Sequence, residues 1–183
     1  KTKIVFDART GASLTAGRTA AKHTVPRILE WLADHLGVPQ DRARQMGEQM
    51  AQLGAPEGIA YDYDAIRTTN TRRAHELIHV AKAHGRQAAM LDRLSSAYFE
   101  QGRHLGQIDV LVDCAVEAGL DPTEAREALE SGRYTAAVDA DVAEARRLGF
   151  RGVPFFVIDG QWGVSGAQSV EAFVSALRQV AAA

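Results

Sequence analysis

Cysteine is nearly missing from this sequence: Cys114 stands alone among 183 residues. One thiol excludes an internal disulfide framework and any C-x-x-C redox pair within these residues. Long apolar runs are missing as well. No stretch approaches the roughly 20 apolar residues that a membrane-spanning helix needs, and no signal-peptide pattern is present. Neither sign of charge dominates, since 21 Lys and Arg face 23 Asp and Glu for a net charge of -2. That balance gives no electrostatic footprint for nucleic acid. The chain opens at Lys1 without an initiator methionine, so these residues are expected to be part of a longer translated product.

What is present reads mainly as helix. Thr2 to Ala8 (TKIVFDA) has the short β-favouring run of a strand, and Gly11 through Lys22 reads as a small-residue loop. Pro26 suits a first helical turn, followed by the stripe Ile28, Leu29, Leu32 and Leu36 and the stop Gly37. Asp41 opens a second helix on which Met46, Met50 and Leu53 face one way. Asn70 and Thr71 are placed to cap a third helix, with Leu77 and Ile78 on its apolar face and Gly85 as its stop. Two more helices carry Leu91, Leu94, Ala97 and Tyr98, then Ile108, Leu111, Val112 and Ala115. Asp121-Pro122-Thr123-Glu124 is a strong helix start, combining a capping aspartate, a proline in the first turn and a glutamate three residues on. A further helix spans about Tyr134 to Leu148.

The pattern changes at Val153. After Pro154, the run Phe155 to Ile158 is too continuous for a surface strand and too short for a helix. Asp159-Gly160 signals a hairpin, Trp162 to Ser165 the returning strand, and Val170, Phe173, Val174 and Leu177 the apolar face of a last helix. The order is strand, helical block, hairpin, helix. A hairpin and one other strand would leave an incomplete apolar layer. The order therefore predicts one α/β sheet interrupted by a helix-rich insertion.

Three stretches together carry a family resemblance: Asn70-Thr71 with HELIHVAKAHGRQ, then AYFEQGRHLGQIDVLVDCAVEAGLD, then GVPFFVIDGQWGVSGAQ. In this order and spacing the chain resembles the DsbA-family oxidoreductases of the FrnE type, over roughly Val25 to Ala182. The resemblance implies an α/β, thioredoxin-like fold with a large helical insertion domain and an incomplete or absent N-terminal βα unit. The thioredoxin-like domain would comprise residues 1–24 and 149–183, and the insertion residues 25–148. It also implies a cis bond at Val153-Pro154, with Val153 and Pro154 as the substrate-binding residues. The family's C-x-x-C, which opens the helix after its first strand, has no counterpart here, so no catalytic residue is assigned. TKIVFDA aligns with the family's second strand, which places the active-site unit upstream of Lys1. It also resembles the first strand, where Ala8-Arg9-Thr10-Gly11 stands in place of the pair. The first alignment is preferred because the loop and the Pro26 helix then follow in family order.

Three functions follow from the resemblance. The first is a thiol–disulfide oxidoreductase whose cysteine pair lies outside these residues. The second is a glutathione-dependent isomerase or kappa-type transferase, with glutathione held against the proline. The third is a redox-inactive binding protein. The expected partner is a thiol or disulfide substrate, protein or small molecule, with no nucleic acid and no membrane. A homo-oligomer would cover exposed apolar sheet surface. The expected setting is cytoplasmic, and no resident cofactor is implied by the first reading.

Other residues carry weaker signals. Cys114 reads as a small buried hydrophobe. His75 and His79 lie one helical turn apart with Glu76 beside His75, so HELIH has the H-E-x-x-H spacing. No third histidine or further carboxylate ligand accompanies it, and no metal site is assigned. His23, His35, His84 and His104 read as solvated. Asp62, Asp64 and Asp7 read as loop-capping groups, and Trp31 and Trp162 as packing residues. Ser165 to Gln168 reads as a turn and cap beside the family's active face.

Overall fold

The computed structural model describes residues 3–5 as backbone, together with 27–149 and 152–182. The expectations for Asp7, the 11–22 loop, His23 and Pro26 lie outside these residues. The chain divides into two compact units, Gly11–Val138 and a second made of Lys1–Thr10 with Asp139–Ala183.

Within the first unit, α1 (Ile28–Leu36), α2 (Gln40–Gly54), α3 (Arg72–Ala83), α4 (Gln87–Phe99), α5 (Ile108–Glu117) and α6 (Pro122–Ser131) follow one another. The core lies among α3 to α6, where Leu77, Val80, Met90, Leu111, Cys114 and Leu129 are fully buried. Helix boundaries follow local chemistry. Gly37, at φ 64°, ends α1, and the Asp121 side chain accepts a hydrogen bond from the Glu124 amide at 2.8 Å to start α6. At α3 the capping bond comes from Asn70, whose Oδ1 accepts from the Arg72 amide at 2.9 Å; the N-cap residue Thr71 makes no side-chain cap bond. Helix α2 begins at Gln40 after Pro39, one residue before Asp41.

Two helices face differently from their sequence patterns. The inward face of α2 is made of small residues: Ala43, Gly47 and Gly54 are buried. A Cβ at Gly47 would stand 3.2 Å from the Tyr63 ring, and one at Gly54 only 2.7 Å from Tyr61. Met50 and Leu53 are left outside, at 47% and 70% exposure. Gly102 is required twice over. Its φ is 60°, and an added Cβ would lie 2.7 Å from the Ala65 carbonyl oxygen.

In the second unit β1 (Lys3–Val5), β2 (Phe155–Ile158) and β3 (Trp162–Ser165) form an antiparallel sheet in the order β1-β2-β3. The registers pair Val5 with Phe155 and Phe155 with Ser165. Asp159 and Gly160 turn the hairpin with φ values of 51° and 73°, as an Asp-Gly primed turn requires. Helix α7 (Thr135–Arg147), whose residues up to Val138 belong to the first unit, precedes the sheet in the chain and α8 (Val170–Ala181) follows it. The Phe173 ring of α8 meets Phe156 edge to face at 4.7 Å. Val170, Val174 and Leu177 of the same helix stay exposed. The architecture is a thioredoxin-like α/β fold with a helical insertion.

Candidate functional site

The head of β2 combines an ordered backbone with exposed surface. Both ladders end at Phe155, so Val153 and Pro154 lie just beyond the paired strand. Their peptide bond is cis. Val153 is 51% exposed, and Gly152 and Pro154 are exposed beside it. The following residues fix this edge from below, because Val157 and Ile158 are buried and Phe156 is held by Phe173. Phe155 lies across β3, where a Cβ at Gly163 would come within 2.7 Å of its ring. Glycine at 163 thus makes room for the aromatic ring that follows the proline.

A second loop meets this edge. The Gly166 amide donates to the Pro154 carbonyl oxygen at 2.8 Å, and the Gln168 side-chain amide donates to the Ser165 carbonyl oxygen at 2.8 Å. Ser169 then caps α8 by accepting from the Ala172 amide. The 165–168 segment therefore both turns the chain and anchors the Val153-Pro154 edge. Nothing in the residue types alone identifies Gly166 as the partner of Pro154, since the bond is made by backbone groups.

Among the described residues the edge offers backbone, apolar side-chain surface and the exposed Ser165 hydroxyl, and no thiol. Cys114 belongs to the other unit and is 0% exposed. Burial pushes its thiol above the ordinary value of 9.0, and Arg103 and Arg93 only partly oppose that push. Arg103 holds Asp113 at 3.2 Å and Glu117 at 2.9 Å. The Arg93 Nε lies 3.0 Å from Glu117, close enough for charge pairing although not aligned as a hydrogen bond. These guanidinium groups are thus neutralised by carboxylates, and the buried thiol is the wrong protonation state for nucleophilic attack.

The remaining candidates are structural. The His79 ring stacks on Tyr134, with centroids 5.9 Å apart. Among the described residues no group of three or more His, Cys, Asp or Glu side chains could hold a metal ion. Asp62 accepts from the Ala65 amide at 2.9 Å, and Asp64 pairs with Arg44 at 3.2 Å. Trp31 stacks on His35 at 4.5 Å, His84 pairs with Glu124, and His104 Nδ1 accepts from the Gly106 amide. Trp162 is half-exposed on β3. The polar cleft of about 200 Å³ at Arg27, Arg44 and Asp64 is occupied by its own contacts, as Arg27 also donates to the Asp64 carbonyl oxygen at 2.6 Å.

Comparison with known proteins assigns the architecture. The family described as DSBA-like thioredoxin domain matches residues 22–178. A solved structure of a probable DsbA oxidoreductase from Streptomyces coelicolor superposes with a TM-score of 0.77 at 39% identity, covering 87% of this chain and 69% of that one. The cytosolic disulfide reductase DsbM of Pseudomonas aeruginosa shares the fold, with a TM-score of 0.55 at 21% identity over 94% of this chain and 89% of its own. The uncharacterized protein YwbO of Bacillus subtilis is 30% identical over 108 residues, which is 58% of this chain. The chain spans about half the length of that relative, 54%.

Proposed function

We propose a function from one premise: the chain belongs to the DSBA-like thioredoxin domain family. Its residues form the substrate-holding part of a thiol–disulfide oxidoreductase, with Val153 and Pro154 at the substrate-facing edge. The dithiol pair is not among the 183 residues, because they contain one cysteine and that one is buried. In the complete reaction a thiolate attacks one sulfur of the substrate disulfide and the other sulfur leaves as a thiolate. The second thiol of the pair then displaces the mixed disulfide, so the substrate gains two electrons as the pair is oxidised. This chain contributes binding and orientation to that exchange. Within the family, HELIHVAKAHGRQ and GVPFFVIDG favour the FrnE-type subgroup. Residues 1–24 and 149–183 would be the thioredoxin-like domain and residues 25–148 the insertion. The substrate is a thiol or disulfide, and the buried free thiol of Cys114 suits a reducing setting such as the cytoplasm.

The observation that carries this reading is the exposed Val153-Pro154 edge at the head of a central strand, inside the family match. Disulfide-exchange kinetics on a cysteine peptide test it, comparing the gene's full translated product with the 183-residue chain. The full product should turn over, whereas the chain and its Cys114→Ala variant should both stay at the solution background. Multiple turnover by the chain that vanishes in Cys114→Ala would overturn the reading, as would an inactive full product.

A further inference from the structure

Helix α2 buries one face, and a patterned stripe runs along the edge of that face. Its inner face, Ala43, Gly47 and Gly54, is consumed by the Tyr61 and Tyr63 rings and by Leu29. Beside it run exposed Arg42, half-buried Met46, exposed Met50 and Leu53 and, in the 3-10 turn that continues the helix, exposed Glu57. These residues are three or four apart and so share one stripe. Gln49 borders it without charge. Met50 and Leu53 are among the exposed large apolar residues, with Ile59 and Phe99 at 38% and 37% exposure.

The order along the stripe is basic, apolar, apolar, apolar, acidic, and it is balanced about a point between Gln49 and Met50. A two-fold axis through that point would set α2 antiparallel to a second α2. Arg42 would then lie opposite the partner's Glu57, and Met46 opposite the partner's Leu53, at both ends at once. A closed two-fold contact demands this self-complementarity of a surface, whereas an unrelated partner does not. Antiparallel pairing also opposes the two helix dipoles favourably. Arg42 is exposed and within 3.5 Å of Gln45 in its own helix, and Glu57 is exposed.

We propose that the Arg42–Met46–Met50–Leu53–Glu57 stripe of α2 is the two-fold interface of a homodimer of this chain. The interface lies wholly within the helical unit, so it is independent of the redox reading. Sedimentation equilibrium over a range of concentrations and salt tests it on the 183-residue chain. The native chain should be a dimer, and Leu53→Lys should weaken self-association by about tenfold or more, since two leucines leave the contact. Leu53 is exposed, so circular dichroism should report unchanged helix content. Arg42→Glu and Glu57→Arg should each weaken the dimer by about threefold, and the combined exchange should restore it. A chain monomeric at every concentration, a dimer indifferent to Leu53→Lys, or a combined exchange weaker than either single change would each overturn the proposal.

Discussion

Cys114 shows how much of a residue's chemistry is set by its surroundings. The thiol sits in the core of the helical unit, and desolvation raises its pKa above 9.0 despite the attraction of Arg103 and Arg93. Tyr98, packed against the same core, is also raised above 10.0 by burial. A raised folded-state pKa makes a contribution that is fully present below the unfolded-state value and is lost as pH rises through the folded one. Stability should therefore be level in these groups up to about pH 8.5 and fall above it, by at most about 1.4 kcal/mol per pH unit for one proton. Urea unfolding from pH 7 to 10.5 measures this, and Cys114→Ala should have a shallower alkaline slope than the native chain. The same substitution leaves a small cavity and should cost about 1–2 kcal/mol at neutral pH. Equal alkaline slopes for the two proteins would show that the thiol is not the responsible group.

At the scale of elements, the sequence was most legible where local chemistry decides. Asp121-Pro122-Thr123-Glu124 starts α6 as its residue types require, and Gly37 ends α1 in the left-handed region. Asp121→Ala should remove the bond to the Glu124 amide and cost about 1 kcal/mol, read as a lower thermal midpoint with the fold retained. An unchanged midpoint would mean that α6 is held by its core contacts alone, through Ala125, Ala128 and Leu129. Orientation was less legible than existence. Met50 and Leu53 of α2 stay exposed because Gly47 and Gly54 admit the tyrosine rings beside them, and only tertiary packing reveals that choice. In α8 the pattern Val170, Phe173, Val174 and Leu177 splits, with Phe173 turned to the sheet and the other three exposed. Hydrophobic periodicity identifies a helix and its candidate faces but cannot say which of two faces finds a partner.

For the whole molecule, three separated stretches carried the family and the thioredoxin-like order of strand, helices, hairpin and helix, which the structure repeats. The Val153-Pro154 edge was legible because the residue pair and its following apolar run stand together in sequence. Its anchoring by the Gly166 amide was not, because a backbone bond leaves no mark in residue type. The central claim is that this edge receives the substrate. Isotope-labelled chain titrated with a cysteine peptide, its thiol blocked by methylation, tests it most directly through backbone amide shifts. The account predicts saturable shifts concentrated at Gly152, Val153, Phe155 and Gly166, with little change in α3 to α6. Saturable shifts confined to the helical unit, or none at the head of β2 at millimolar peptide, would contradict it.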